Sequence, residues 1–316
     1  MFRFILIRFG GLIGVLLAVS LLTFFLMHAV PGGPFDAMTA QTAQMIPLEL
    51  VRNMEKMYGL DKPLWQQYWL FLKAALQGNF GYSYYASGRS INELVGEHWP
   101  YSIQIGVMTL AFSSVIGLGL GIFSAMNPGR WPDHMGTGIS LFCMTVPSFV
   151  FAKLAQYVFA VRLGWLPTSG WYGWSQPRYW VLPVLANSLG PVLTLQRYTR
   201  SAIADVMRAN YVRTARAKGL GKMKVTLIHI FKNALTPVVT VAGPMTASLI
   251  TGSIFIESIF RIPGLGWYTN VSIGRRDYPL IMASTLLWTT LISVTYFITD
   301  IVYALLDPRV AFVKER

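Results

Sequence analysis

The chain has 316 residues, of which 54% are hydrophobic and only 12% are charged, whereas a soluble domain carries about 25% charged residues. The apolar residues come in blocks long enough to cross a bilayer, which excludes a soluble globular protein. The net charge of +13 does not indicate a nucleic-acid partner, because the basic residues lie where the orientation of a membrane protein already places them.

The apolar blocks predict an all-α, polytopic membrane protein with six membrane-spanning helices. The first block has about 19 residues, more than the 7 to 15 of a signal peptide, so we expect it to remain as the first span. The predicted spans are 9–27, 101–126, 135–161, 179–198, 235–260 and 280–306. The chain is thus divided into a tail with the first span (1–30), an external helical segment (31–100), a core of five spans (101–306) and a C-terminal tail (307–316).

The external segment is too long to be a bare linker. Two stretches in it, 47–60 and 63–78, begin with a proline and end near a glycine. This pattern predicts two short amphipathic helices. A second external loop, 162–178, is rich in Gly, Pro and Trp, as is typical of a segment at the membrane surface.

The distribution of Lys and Arg predicts the orientation. Nine of these residues lie between positions 197 and 232, and fewer lie in each of the short loops on the other side. Because short cytoplasmic loops carry the excess of positive charge, we predict that both termini and the region 199–234 are cytoplasmic. The expected location is the plasma membrane or the inner membrane.

Known catalytic and cofactor motifs are missing from the sequence. It has no phosphate-binding G-x-x-x-x-G-K-[ST] loop, no H-E-x-x-H zinc site and no G-x-S-x-G nucleophile turn, and its single cysteine, Cys143, cannot form an internal disulfide. We therefore expect no catalytic residue, cofactor or metal in this chain. A membrane-embedded enzyme would need a catalytic pair within the spans, which the sequence does not provide.

Few ionisable residues lie within the predicted spans. Lys153 and Asp300 should face protein or water, since a charge at mid-depth costs about 2.5–3.5 kcal/mol on insertion scales. Each either lines a translocation path or belongs to a local packing pair, and the Lys153 amine could also snorkel to the membrane surface, as the Asp300 carboxylate could reach the cytoplasmic interface. Glu257, with Arg261 one turn later, is a candidate for a gate or for a packing pair.

The cytoplasmic region contains one further predicted helix, 208–219. Val212, Ala215 and Gly219 fall within a narrow arc of it, with Arg208 and Arg216 on either side. A strip of small residues with a cationic border suits close docking into a groove on another protein. Gly219 and Gly221 should end the helix, and Pro237 should lie in the first turn of the next span.

This region resembles the cytoplasmic motif of ATP-binding cassette importer permeases, written E-A-A-x-x-x-G-x9-I-x-L-P. The stretch "YVRTARAKGL" aligns on Gly219, with Arg213 in place of the Glu and Thr214 and Ala215 in the alanine positions. This departure is the one that peptide permeases show. The stretches "HAVPGGP", "SIFIESIFRIPGLG" and "DIVYALLDPR" extend the resemblance along the chain.

The resemblance implies a type I importer permease fold and a set of partners. These are a second, homologous permease in a heterodimer, two cytosolic ATPases, an extracytoplasmic substrate-binding protein and the membrane lipid. ATP and magnesium would be bound by the ATPases. The helix that couples this chain to an ATPase would consist of Arg208, Asn210, Tyr211, Val212, Arg213, Thr214, Ala215, Arg216, Ala217, Lys218 and Gly219.

The function implied is that of a permease subunit forming half of a path for di- or oligopeptides. Within the same class the substrate could instead be an oligosaccharide, a nickel chelate, glutathione or haem, because the residues that determine substrate specificity lie largely in the binding protein. The alternative of a different class is a channel or secondary carrier that works without ATP. Such a protein would need no cytoplasmic docking helix.

Overall fold

The fold is a bundle of helices, seen in a computed structural model that describes residues 2–35, 48–86 and 88–306. Within these ranges the only β-type pairing is a single bridge between Tyr82 and Ser90. The helices are α1 (Phe2–Ala29), α2 (Leu48–Tyr58), α3 (Leu64–Leu76), α4 (Ile91–Met126), α5 (Trp131–Thr145), α6 (Ser148–Ala155), α7 (Val181–Asn187), α8 (Leu189–Met207), α9 (Asn210–Ala217), α10 (Lys232–Ile250), α11 (Ile254–Phe260), α12 (Leu265–Arg275) and α13 (Tyr278–Leu306).

Four stretches of the described residues are long and apolar enough to cross a membrane, or five if α5 and α6 count as one bent span. The four are Ile5–Ala29, Ile91–Met126, Ile228–Ile250 and Tyr278–Ile301. The predicted span 179–198 corresponds to α7 and α8, which are separated at Ser188. The basic and amide side chains of these two helices lower the hydropathy of this span. The six predicted spans thus correspond to α1, α4, α5 with α6, α7 with α8, α10 with α11, and α13.

The two short helices predicted in the external segment are confirmed as α2 and α3. Pro63 precedes the first turn of α3, where a missing backbone N–H costs nothing. Gly59 and Gly78 follow the two helices with φ of +70° and +71°, a conformation that glycine adopts without strain. The predicted tail 307–316 lies outside the described residues.

Helix α4 begins earlier than hydropathy predicted. Residues 91–100, which we assigned to the external segment, are its first turns, and the side chain of Ser90 caps it by accepting a hydrogen bond from the N–H of Asn92 at 3.2 Å. The apolar block starts only near Tyr101, because Glu93, Glu97 and His98 precede it in the same helix. The helix therefore begins before the apolar block does, within the polar part of the sequence.

The predicted third span, 135–161, is present but is broken into two helices, α5 and α6, at Pro147. Helices α5 and α6 meet at an angle of 97°. Val146 lies between them and is followed by Pro147. A residue before proline avoids the helical region, and Val146 accordingly has an extended backbone with φ −91° and ψ 116°. After α6 the chain continues through wide π-type turns, Gln156–Arg162.

The predicted fifth span starts earlier than expected and is interrupted before its end, and that end, at Phe260, agrees with the prediction. Helical turns at Lys222–Lys224 and Val225–Phe231 run directly into α10. Pro237 therefore lies inside a helix and not in its first turn, which corrects the prediction. The span is then interrupted at 251–253 before α11 begins at Ile254, with the Ser253 hydroxyl capping α11 through the N–H of Ile256.

At the edge of the bundle α1 packs against α13. Arg8 forms an ion pair with Asp300 at 3.0 Å, and the rings of Phe9 and Phe297 meet edge to face at 6.2 Å between centroids. Of the two alternatives for Asp300, the structure thus supports the packing pair. A pair of opposite charges lowers the cost of placing either one at membrane depth.

The centre of the bundle is the contact between α4 and α8. A Cβ atom added to Gly117 would lie 2.8 Å from Cβ of Leu195, and one added to Gly121 would lie 2.6 Å from Cβ of Thr199. The two backbones therefore approach as closely as they do only because these positions carry no side chain. The four-residue spacing of the glycines places both on one face of α4.

We expect Gly121→Ala to destabilise the chain by about 1–3 kcal/mol, because its methyl group has no space between α4 and α8. Gly119→Ala is the matched control, since nothing lies within 4 Å of a Cβ at that position. Thermal unfolding in detergent, followed by size-exclusion chromatography, measures both. Equal midpoints for the two variants would contradict the close approach.

Candidate functional site

The predicted cytoplasmic helix is present as α9, Asn210–Ala217, within the predicted range 208–219. Arg208 ends α8, and Ala209 has an extended backbone with φ −66° and ψ 145°, so the chain turns before α9 starts. At the other end Gly219 has a φ of +75°, as expected of a glycine that stops a helix. The helical state and the stop at Gly219 follow the sequence pattern, whereas the helix starts at Asn210 and not at the predicted Arg208.

The inner face of α9 is buried against its own chain. Val212 is 0% exposed and Ala215 is 5% exposed. They cluster with Ile203 of α8, with Val225 of the turns that lead into α10, and with Ala234 of α10 itself. The prediction that these small residues face a partner protein is therefore wrong for Val212 and Ala215. Small side chains at these positions instead allow α9 to lie close to its own bundle.

The outer face of α9 is the free one. On a helical wheel at 100° per residue, Asn210, Arg213, Thr214 and Ala217 lie opposite the buried pair, and all four are exposed. The Thr214 hydroxyl donates to the carbonyl oxygen of Asn210 at 3.1 Å. This face is therefore flat and cationic, with Tyr211, Arg216, Lys218 and Gly219 exposed around it.

A second feature is a polar stripe along α7 and α8. It lines two cavities, of about 410 Å³ and about 630 Å³, and Thr194 contributes to both. The residues of the stripe recur every three or four positions, so they share one helix face. They are Asn187, Gly190, Pro191, Thr194, Arg197, Tyr198 and Ser201.

The opposite face of α8 is buried against α4 and its neighbours. Leu189, Val192, Leu195 and Ile203 are each less than a tenth exposed. Because the apolar face of α8 is held in the bundle, the polar stripe is turned toward the two cavities. A polar face on a membrane helix is stable only against protein or water.

The smaller cavity, which we call the upper cavity, lies where three helices are interrupted. Ser148 begins α6 after the break at Pro147, Asn187 ends α7, and Gly252 and Ser253 separate α10 from α11. Its remaining polar lining is Thr194 and Ser248, so no lining side chain is charged. Interrupted helices within a membrane are tolerated where they face protein or a water-filled space.

The larger cavity, the lower cavity, lies between α5 and α8 and contains two arginines. Arg200 binds the Asp133 carboxylate with two hydrogen bonds, of 2.6 and 2.8 Å, and Asp133 also accepts the N–H of Gly129 at 3.0 Å. Arg197 is exposed and has no hydrogen bond or ion pair with any described residue. No acidic side chain is among the residues that line this cavity.

Lys153 does not line either of these two cavities. It is exposed on α6, while its neighbours Ala152 and Ala155 are buried in the cluster around Leu182 and Phe260. Its amine thus points away from the packed side of the chain. The prediction that Lys153 lines the path remains a prediction.

Glu257 is fully buried and is bound by groups other than Arg261. Ser102 of α4 donates its hydroxyl to Oε1 at 2.8 Å, and backbone N–H groups donate from Ser253 at 3.2 Å and from Trp267 at 2.9 Å. Arg261 is exposed, with a φ of +53°. These contacts fix the start of α11 and the start of α12 to α4, which is a packing role.

Three glycines leave room for the Glu257 carboxylate. A Cβ at Gly252, Gly264 or Gly266 would collide with its oxygen atoms. The stretch "SIFIESIFRIPGLG" therefore contains the acceptor and two of these glycines, Gly264 and Gly266, and the third, Gly252, comes directly before it. The sequence indicated a charged residue here but not its partners, because Ser102 lies 155 positions earlier.

Asp277 is a structural residue that the sequence reasoning missed. It is 2% exposed, accepts the hydroxyl of Ser83, and accepts the N–H of Tyr84 at 3.1 Å. Burial raises the pKa of this carboxyl above its usual value, although the hydrogen bonds oppose the shift. The external segment is thereby fastened to the turn between α12 and α13.

No group of three or more His, Cys, Asp or Glu residues placed to hold a metal ion occurs in the parts of the chain that the structure describes.

Comparison with known proteins covers almost the whole chain. The family described as "Binding-protein-dependent transport system inner membrane component" matches residues 117–312, and its N-terminal companion matches residues 1–104. The dipeptide transport system permease protein DppB of Bacillus subtilis is 36% identical over 317 residues, covering 100% of both chains. The oligopeptide transport system permease protein OppB of Haemophilus influenzae is 37% identical, covering 99% of this chain and 100% of the relative.

Two solved structures share the fold. The MetNI methionine ABC transporter in inward-facing conformations aligns with a TM-score of 0.54 and 17% identity, covering 68% of this chain and 96% of its own. An amino acid ABC transporter crystallised with histidines aligns with a TM-score of 0.51 and 13% identity, covering 65% and 91%. At these identities the likeness supports the fold alone, and the fold is that of type I importer permeases.

We expect Glu257→Gln to lower the unfolding midpoint, at a cost of about 1–3 kcal/mol, because an amide N–H₂ would then face N–H donors in a buried site. The control is Glu97→Gln, which removes a surface pair with Arg89 and should leave the midpoint unchanged. Thermal unfolding of the purified chain measures both. An unchanged midpoint together with lost transport would assign Glu257 to a gate.

Proposed function

The chain belongs to the family of binding-protein-dependent transport system inner membrane components, and we propose that it is the permease subunit of an ATP-driven importer that carries di- or oligopeptides. The observation that carries this proposal is the polar stripe of α7 and α8, which lines two cavities beside interrupted helices. A stripe of this kind is one wall of a path. The second wall would come from a homologous permease in a heterodimer.

Peptides fit the uncharged lining of the upper cavity. The side chains of Ser148, Asn187, Thr194, Ser248 and Ser253 can donate or accept hydrogen bonds, and the backbone amides of a peptide need both. A wall without charge treats peptides of different side chains alike. The full-length similarity to dipeptide and oligopeptide permeases supports this choice over oligosaccharides, nickel chelates, glutathione or haem.

Energy for transport would come from two cytosolic ATPases, which would bind ATP and magnesium, and substrate would come from an extracytoplasmic binding protein. The excess of Lys and Arg near α9 supports a cytoplasmic position for this helix and for both termini. The outer face of α9, with Asn210, Arg213, Thr214 and Ala217, would then dock on an ATPase.

The inner face of α9 explains how docking would reach the path. Val212 and Ala215 pack against α8 and against the helix that continues into α10, and both α8 and α10 line the upper cavity. A movement of α9 imposed by an ATPase is therefore passed directly to two walls of the path. Close packing transmits such a displacement because the interior resists compression.

ATP dependence is the test of the proposed function. The chain is purified with its partners, reconstituted in liposomes and supplied with loaded binding protein and labelled tri-alanine. We expect co-purified ATPase subunits and uptake that stops when ATP is withheld. Uptake by this chain alone, in liposomes without ATPase, would instead identify a channel or secondary carrier.

Two alanines on opposite faces of α9 test the docking surface. Ala217→Trp should leave the chain folded but abolish most ATP-driven uptake, because its bulk prevents close approach of the ATPase. Ala215→Trp should instead lower the yield of folded protein, because Ala215 is 5% exposed and has no room for an indole. Yield, ATPase co-purification and uptake are measured for both, and full uptake by Ala217→Trp would refute the docking surface.

A further inference from the structure

We propose that Arg197 binds the C-terminal carboxylate of the peptide in the lower cavity, so that the permease itself selects substrates with a free C-terminus. The proposal rests on the proposed function, since it assumes that a peptide enters the cavities. It assigns a specificity-determining role to one residue of the polar stripe. The first argument is the charge of the lower cavity.

The lower cavity contains one uncompensated positive charge. Of its two arginines, Arg200 is bound through two hydrogen bonds to Asp133, whereas Arg197 has no partner among the described residues. No carboxylate lines the cavity. Because a guanidinium stays charged at any physiological pH, an anionic group of the occupant is the natural complement.

The position of Arg197 in the helix strengthens this assignment. It lies in the middle of α8, ten residues before the end of the helix at Met207. Arg197 follows Thr194 by three residues, about one helical turn, so its side chain shares the face that lines the two cavities. Arg197 is not needed for the ionic contact between α5 and α8, because Arg200 and Asp133 make that contact.

The dimensions of the stripe fit a short peptide. From Asn187 to Arg197 the helix rises about 15 Å at 1.5 Å per residue, which an extended peptide of four or five residues covers at about 3.3 Å per residue. The backbone of such a peptide would lie along the uncharged upper cavity, with Thr194 at the junction of the two cavities. Its carboxylate would then reach the guanidinium, which can bind it with two parallel hydrogen bonds.

The experiment measures binding to the whole transporter without the binding protein, so that selection by the binding protein does not contribute. The nucleotide-free complex in nanodiscs is incubated with labelled tri-alanine, and unlabelled tri-alanine, its C-terminal amide and its N-acetyl derivative compete. We expect the amide to compete at least about tenfold less well than the free acid, as loss of a charge-assisted hydrogen bond predicts. The N-acetyl derivative, which keeps the carboxylate, should compete like the parent peptide.

Variants of Arg197 complete the test. Arg197→Gln should weaken binding of the acid about tenfold and leave binding of the amide unchanged, so that the two become equal. Arg197→Lys should retain part of the preference, because an amine keeps the charge but not the planar pair of donors. Arg130→Gln is the matched control, since Arg130 is an exposed arginine of the loop before α5 and does not line the cavity.

Several results would overturn the proposal. The assignment is wrong if the wild-type complex binds acid and amide equally or binds neither, or if Arg197→Gln keeps the preference. Loss of the second permease from complexes of the Arg197→Gln chain would show that Arg197 pairs with an acid of that subunit instead. In each case ATP-driven uptake by the wild-type complex would leave the proposed function standing, whereas its absence would remove both.

Discussion

The rest of the structure depends on how closely α8 packs against α4. Gly117 and Gly121 carry no side chain that would hold the two helices apart. The apolar face of α8 is therefore buried. Since the apolar face of α8 is held against α4, the direction in which its polar face points is determined as well. Because the apolar face of α8 is buried, the polar stripe from Asn187 to Ser201 on its opposite face is turned toward the two cavities.

The breaks in the helices belong to the same arrangement. In a bilayer an unpaired backbone group is costly, so a helix is interrupted only where protein or water can replace the lost hydrogen bonds. The break at Val146 and Pro147 and the break at 251–253 both border the upper cavity. Glu257 stabilises the second break by accepting hydrogen bonds from the Ser102 hydroxyl and from the backbone N–H of Ser253. A rigid support behind a polar space keeps its lining in place.

Much of this architecture could be predicted from the sequence, because length, hydropathy and periodicity act locally. The spans, the two external helices and the stop of α9 at Gly219 all follow from such patterns. Periodicity also placed Val212 and Ala215 on one face, but it could not tell whether that face meets a partner or the chain itself. The contact of Ser83 with Asp277 was beyond reach for a different reason, since 194 positions separate the two residues and neither stands out alone.

Helix α4 joins regions that hydropathy had separated. It is continuous over 36 residues from Ile91 to Met126, about 54 Å at 1.5 Å per residue. Near its first turn, Ile91 and Leu94 pack on Leu280 of α13, and at its last turn Ala125 belongs to the cluster that holds α9. The two ends of one helix thus contact α13 and the cluster that contains Val212 and Ala215 of α9. A tilt of α4 at one end of the bundle therefore displaces the contacts at its other end, which couples the two ends mechanically without any group in the two cavities.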